Sequence, residues 1–237
     1  MNIVIIGYGK MGREIEKIAL ERGHTIVKTI DIDNRSDLNS ALAKQVDVAI
    51  EFTSPNSAIN NIYSCFELGI PVVAGSTGWH EKLEEVTTNC LKGNHSLFYA
   101  SNYSIGVNLF FALNEKFAQM MNSYPQYKVS MEEIHHTQKL DAPSGTAVSL
   151  ANIIIEYLDR VSDWKLDSTS DKILPIKAIR EGDVKGIHKV KYEAEEDYIE
   201  LVHHAKSRKG FAMGAVFAAE YLKEKKGVFT MRDLLGI

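Results

Sequence analysis

The first twelve residues constrain this chain most. Asn2 to Ile6 is a short apolar run of the kind that forms a buried parallel strand. Gly7-Tyr8-Gly9-Lys10-Met11-Gly12 follows at once, and a helix-patterned stretch then runs to about Arg22. A G-x-G-x-x-G turn between a first strand and a first helix is the dinucleotide-binding fingerprint. Its glycines serve a tight turn, backbone approach to a pyrophosphate, and close helix–strand contact. The pattern alone is weak, and its context carries the reading. Gly23-His24 closes the helix, Thr25 to Ile30 gives a second strand, and Asp31 ends it nineteen residues after Gly12. An acid there can bind the adenosine ribose hydroxyls, and Asp33 takes that role if the strand runs longer. Asp31 repels a 2′-phosphate and favours NADH, whereas Arg35 can attract one, so NADPH stays open.

Further strands alternate with helices. Val46 to Phe52, Ile70 to Ala74 and Ser96 to Ala100 read as strands, with helices from about Pro55 to Leu68 and Glu81 to Leu91. This order implies an α/β fold with a doubly wound parallel sheet. The loops Thr53-Ser54-Pro55-Asn56, Gly75-Ser76-Thr77-Gly78 and Ser101-Asn102-Tyr103-Ser104 then lie along one carboxyl edge, where such sheets bind ligands. The pattern changes after Tyr103. Val107 to Met121 reads as a long apolar helix, Tyr127 to Ile134 as a strand and Thr146 to Leu158 as a helix. Asp159 to Pro175 reads as an irregular surface excursion. Three strand-like runs follow, at Ile176 to Glu181, Gly186 to Ala194 and Tyr198 to His204. We therefore expect a dinucleotide-binding domain over 1–103, an inserted α+β domain over 104–207, and a C-terminal segment over 208–237 that returns to the first domain. In that segment, Phe211 to Leu222 is an apolar helix and Val228 to Ile237 a short tail.

Between the second domain's first strand and its helix, Glu133 to Ala147 reads Glu-Ile-His-His-Thr-Gln-Lys-Leu-Asp-Ala-Pro-Ser-Gly-Thr-Ala. His135, His136 and Lys139 supply three basic side chains. Pro143, Ser144 and Gly145 open a helix whose first N–H groups attract an anion. A small anionic substrate beside a proton donor accounts for the whole stretch. Its plainer alternative is a polar strand end followed by ordinary helix-start chemistry. Zinc is disfavoured, because adjacent histidines on a strand point to opposite faces and no third ligand stands at a usual spacing.

The net charge of −4 argues against nucleic acid or anionic membrane as the main partner. The chain has no apolar run of membrane-span length and no signal-peptide pattern. Cys65 and Cys90 fall in helical patterns and suggest no disulfide framework, so a cytoplasmic protein is expected.

With these regions in view, the chain resembles the 4-hydroxy-tetrahydrodipicolinate reductase (dihydrodipicolinate reductase) family of lysine and diaminopimelate synthesis. The resemblance runs from the Gly7 to Gly12 turn through Glu51-Phe52-Thr53, Gly75 to Gly78 and Ala100 to Ser104. It peaks at His135-His136-x-x-Lys139-x-Asp141-Ala142-Pro143-Ser144-Gly145-Thr146-Ala147, and resumes at Arg180-Glu181-Gly182-Asp183 and Met231-Arg232-Asp233. It implies an oxidoreductase with a Rossmann domain and a mixed-sheet domain that tetramerises through its sheets and closes over the ligands. Gly7, Tyr8, Gly9, Lys10, Met11 and Gly12 would hold the pyrophosphate and Asp31 the ribose. Phe52 and Thr53 would also contact the cofactor. Gly75, Ser76 and Thr77, with Ala100, Ser101, Asn102 and Tyr103, would line the nicotinamide side. His135 and Lys139 match the family's catalytic positions, with Lys139 the favoured proton donor. His136, Ser144, Gly145 and Thr146 would bind the substrate carboxylate. The chain departs from the family in its shorter length, its tighter glycine turn, and Ser54 where some members carry a base. The second histidine pair, His203-His204, reads as a polar strand end, and Arg208 as a residue of the domain junction.

Two rivals share the architecture. A semialdehyde dehydrogenase needs a nucleophilic cysteine at the nicotinamide, which Cys65 and Cys90 do not supply. A dinucleotide-sensing regulator, or another imine or amino-acid dehydrogenase, would differ in the second domain's donors rather than in its fold.

Overall fold

The computed structural model describes every residue except Asp171 and Arg208. Arg208, expected at the domain junction, thus lies outside the described residues. The chain forms two compact units, one built from Met1–Ile105 with Lys209–Ile237 and the other from Gly106–Arg208.

In the first unit, β1 (Asn2–Ile6), α1 (Lys10–Glu21), β2 (Thr25–Ile30), α2 (Ser40–Ala43), β3 (Val48–Glu51), α3 (Pro55–Glu67), β4 (Val72–Ala74), α4 (Leu83–Lys92) and β5 (Ser96–Tyr99) follow in sequence. In the second, α5 (Ile105–Met121), β6 (Lys128–His135), α6 (Gly145–Tyr157), β7 (Asp163–Leu166), β8 (Ile173–Arg180), β9 (Ile187–Glu193) and β10 (Tyr198–His204) follow. α7 (Lys209–Leu222), β11 (Gly227–Phe229) and α8 (Met231–Leu235) then complete the first.

The first unit is a six-stranded parallel sheet in the order β11-β5-β4-β3-β1-β2. Its central strands bury both faces, so β1 and β3 read as continuous apolar runs rather than alternating ones. One face packs on α1 and α7 through Ile15, Ile18, Ala215 and Val216; the other packs on α3 and α4 through Ile62, Phe66 and Val86. The tail is more than a cap. β11 pairs parallel with β5 as the sixth strand, with Val228 opposite Leu97.

The second unit is a five-stranded mixed sheet, β10-β9-β6-β8-β7, antiparallel from β10 to β6 and parallel from β6 to β7. The stretch expected to be irregular after Asp159 contains β7, and β8 begins three residues early, at Ile173. β7 is a four-residue edge strand with one paired neighbour, and it leaves only a half-buried Trp164 as an apolar signal. Along β6, Val129, Met131, Glu133 and His135 are buried, in strict alternation with Lys128, Ser130, Glu132 and Ile134. Leu150, Ala151 and Ile154 of α6 share the core with Val129 and Met131. Among the described residues, no helix is long and apolar enough to cross a membrane.

Candidate active site

In the first unit, the carboxyl ends of β1, β2 and β3 open on a cavity of about 610 Å³ whose lining includes Gly7, Tyr8, Gly9, Asp31, Arg35 and Thr53. The turn needs its first and third glycines for its own geometry. Gly7 has φ +94°, and a Cβ there would stand 2.2 Å from the Phe52 carbonyl oxygen; one on Gly12 would stand 2.3 Å from that of Gly7. Gly9 differs, because a Cβ there meets nothing within 4 Å. The surface above it is open, and α1 starts there without a side-chain cap. An open backbone at an uncapped helix N-terminus is what a pyrophosphate requires, so these residues fit a dinucleotide. Lys10 is exposed on the first turn. The Tyr8 hydroxyl donates to the Glu16 carboxylate and its ring stacks under Arg13.

Asp31 caps the 3-10 turn Ile32–Asp37, its Oδ1 accepting from the Ile32 N–H at 2.9 Å, and lines the cavity. Asp33 lies inside that turn and is not part of the lining. A recess of about 220 Å³ beside Phe52 and Thr53 is lined by Met11, Gly75, Ser76 and Thr77. Ala100, Ser101, Asn102 and Tyr103 line neither space. The Tyr103 hydroxyl donates to the Ala74 carbonyl at 2.8 Å, and burial pushes its pKa up, so this phenol is a core pin. Sequence reasoning missed Glu51. It is fully buried, and its Oε1 accepts from the Thr53 N–H (3.0 Å) and the Ser76 hydroxyl (2.9 Å), joining the loops after β3 and β4. Cys65 and Cys90 are buried in α3 and α4, and burial pushes both thiols up, Cys90 to about 11. Neither is poised as a nucleophile.

In the second unit, the inner face of β6 turns polar at its carboxyl end. Glu133 and His135 are two apart on one strand and share that face, and register places His188 of β9 opposite Glu133 and Arg180 of β8 beside His135. Glu133 is fully buried. Its Oε1 accepts from Arg180 Nη2 (2.9 Å) and the Ser144 N–H (3.1 Å), while Oε2 lies 3.0 Å from His135 Nδ1 and 3.9 Å from His188 Nε2. Burial alone would raise the Glu133 pKa; the close His135 ring and hydrogen bonds from Ser144 and Arg180 outweigh it and hold the carboxylate at about 2. Burial, aided by the neighbouring His135, pushes His188 down to about 4. Arg180 also donates to the Asp141 carbonyl (2.6 Å) and the Lys139 carbonyl (3.3 Å), gripping the loop that carries the lysine.

Lys139 Nζ lies 2.8 Å from both Asp141 carboxylate oxygens. Ser144, expected at the substrate, is 3% exposed and acts within the protein. Its hydroxyl accepts from the Ala147 N–H at 3.3 Å as the N-cap of α6 and contacts His188 Nε2 at 3.0 Å. Gly145 leads α6 and is exposed, and His136 is half-buried just beyond β6. The structure thus brings His135, Lys139 and Ser144 onto one network through Glu133 and Arg180. Sequence reasoning singled out neither Glu133 nor His188. The spacing of Glu133 to His135 was the available signal, whereas His188 is fifty-five residues away and visible only through register. Glu133, His135 and His188 also gather three potential metal-ligand atoms within 4.8 Å, which sequence spacing did not suggest. Arg180 pairs with Oε1 of this carboxylate, while Oε2, His135 Nδ1 and His188 Nδ1 are buried without a hydrogen-bond partner among the described residues.

Comparison with known proteins decides the family. Residues 1–103 match the family model for the dihydrodipicolinate reductase N-terminus, and 106–235 match that for its C-terminus. The chain belongs to the dihydrodipicolinate reductase family. The 4-hydroxy-tetrahydrodipicolinate reductase of Christiangramia forsetii is 50% identical over 237 residues, covering 100% of this chain and 98% of that protein. The Methanosarcina acetivorans protein of the same name is 36% identical over 94% of this chain and 86% of its own length. A solved dipicolinate-bound dihydrodipicolinate reductase from Paenisporosarcina sp. TG-14 superposes with a TM-score of 0.78 at 25% identity, covering 97% of each chain. Family membership makes the chain an oxidoreductase with a dinucleotide-binding N-terminal domain.

Proposed function

We propose that this chain catalyses the NAD(P)H-dependent reduction of 4-hydroxy-tetrahydrodipicolinate to tetrahydrodipicolinate in lysine and diaminopimelate biosynthesis. The observation that carries this reading is the β6–α6 connection. There the buried Glu133 carboxylate accepts from Arg180 and from the Ser144 N–H at the start of α6, His135 Nδ1 stands 3.0 Å from it, and Lys139 pairs with Asp141 on the loop between. The substrate is a cyclic dicarboxylate that forms a conjugated imine on loss of water. Reduced nicotinamide supplies a hydride to the ring carbon that carried the hydroxyl. The electron pair displaced toward the ring nitrogen side must be met by a proton. Lys139 donates that proton, and its cation stabilises the developing negative charge; Asp141 holds the ammonium at the loop beforehand. His135 orients Lys139 or a water. His136, the Gly145 and Thr146 backbone and the Thr146 hydroxyl hold a carboxylate at the start of α6.

We favour NADH, because Asp31 presents a carboxylate where the adenosine ribose would sit; Arg35 in the same lining keeps NADPH usable. A homotetramer and a cytoplasmic location complete the reading. The outer face of the mixed sheet aligns Ile179, Ile134 and Ile187 in one row across β8, β6 and β9, and Val202 on β10 is 50% exposed. Such an apolar row suits burial against a second copy, and light scattering at four times the chain mass would support it.

The direct test is a coupled assay. Pyruvate, aspartate semialdehyde and the preceding synthase are supplied with this protein, and loss of reduced-nicotinamide absorbance is followed with each cofactor. Synthase-dependent oxidation is expected. No oxidation alongside intact NADH binding would reject the reading in favour of a sensor or another imine substrate.

A further inference from the structure

We propose that Glu133 is the positioning residue of this site, fixing the ring and tautomer of His135 and, through Arg180, the loop that carries Lys139. This rests on the reductase reading above. Oε2 stands 3.0 Å from His135 Nδ1, out of line for a hydrogen bond, and the buried carboxylate beside it favours the proton on Nδ1, because a carboxylate only accepts. Nε2 is then the atom left for chemistry, and space is kept beside it: a Cβ on Gly186 would stand 3.1 Å from Nε2, and residue 186 has none.

The other carboxylate oxygen holds the rest of the frame. It accepts from Arg180 Nη2 and from the Ser144 N–H. Arg180 is the clamp on the lysine loop, its donors reaching the Lys139, Asp141 and Ile179 carbonyls. Ser144 caps the start of α6, its hydroxyl accepting from the Ala147 N–H. One buried carboxylate therefore sets the imidazole, the ammonium loop and the helix start relative to one another. The groups around it are His135 on β6, Arg180 on β8, His188 on β9 and Ser144 before α6. His188 is neutral down to about pH 4, so the negative charge is left to His135 and Arg180.

Glu133→Gln keeps the shape and reverses the logic. Its amide oxygen can still serve Arg180 and Ser144, but its NH2 then faces His135 Nδ1 and forces that nitrogen to accept. The proton moves to Nε2, the wrong tautomer for that atom to accept a proton. We expect kcat to fall about 100-fold or more, with NADH affinity unchanged and substrate KM moved less than about threefold. A merely structural loss would move stability without changing the tautomer. Nitrogen chemical shifts of histidine-labelled protein, with the His135 signal identified by its loss in His135→Gln, should show Nδ1–H in the wild type and Nε2–H in Glu133→Gln. A wild-type His135 in the Nε2–H form would overturn the proposal, and that measurement needs no variant to fold. Glu133→Gln that retains wild-type kcat, or keeps the wild-type tautomer, would also overturn it. Were the wild type itself inactive in the coupled assay, the reductase reading would fail while the tautomer measurement still tested the positioning role.

Discussion

His188 makes the second unit acid-sensitive in a window that can be calculated. Burial, with the neighbouring His135, holds its imidazole at about 4 in the native state against an ordinary value of 6.5. Between those pH values the unfolded chain binds a proton that the native state does not, so stability falls as pH drops from about 6.5, and the loss is complete below about 4. The full cost is about 3 kcal/mol, at 1.36 kcal/mol per pH unit of displacement. Glu133 acts in a separate, lower window. Held at about 2 against 4.5, its contribution is fully present above about pH 4.5 and disappears as pH falls through 2. The charged or titratable groups that bear on His188 are His135, Glu133, His203 and Lys139. Each of these stays in place in the variant His188→Asn. The chain has two tryptophans, and Trp164 packs on the second unit's core, so Trp79→Phe leaves an indole that reports that unit alone. Urea unfolding of Trp79→Phe should show stability falling by about 3 kcal/mol from pH 7 to pH 4, and Trp79→Phe/His188→Asn should be less pH-sensitive by a similar amount. Parallel pH profiles for the two proteins would refute the reasoning.

Four further outcomes follow, three at the dinucleotide cradle of the first unit and one on the lysine loop of the second. Gly9→Ala should melt within about 0.5 kcal/mol of wild type, because a Cβ there meets nothing within 4 Å, yet weaken NADH about tenfold or more by blocking the pyrophosphate; unchanged NADH titration would contradict this. Gly12→Ala should instead destabilise the first unit by about 1–3 kcal/mol, since its Cβ meets a backbone carbonyl at 2.3 Å, and an unaltered melt would count against that packing. Asp31→Ala should weaken NADH about tenfold and NADPH less, and equal losses by fluorescence titration would reject a ribose role. Lys139→Ala should reduce kcat about 100-fold or more in the coupled assay while NADH affinity holds; a collapse of NADH affinity would make Lys139 a cofactor residue.

The glycine turn, β1, β2 and the long helices were legible because their signals are local. Gly7 to Gly12 needs only its flanking strand and helix to be read, and α5 and α6 each carry a continuous apolar pattern. The elements that escaped draw their stability from a distant partner. β7 is Asp-Trp-Lys-Leu, a polar sequence ordered by pairing with β8, and β11 is three residues seated against β5 after more than a hundred residues of intervening chain. The same distinction divides the site. Alternation along β6 puts Glu133 and His135 on one face, so Glu133 could have been found by stepping back two residues from a candidate catalytic histidine. Alternation cannot say that His188 will stand opposite Glu133, because a one-residue slip of β9 would put Ile187 there and turn the imidazole to the other face. The apolar residues of β9 hold that register. Val190 opposite Met131 and Tyr192 opposite Val129 are both buried, so slipping His188 outward would also expose Val190 and Tyr192. The hydrophobic core of the second unit thus fixes the geometry of its polar end, and the placement of His188 follows from the packing of residues two and four positions further along the strand.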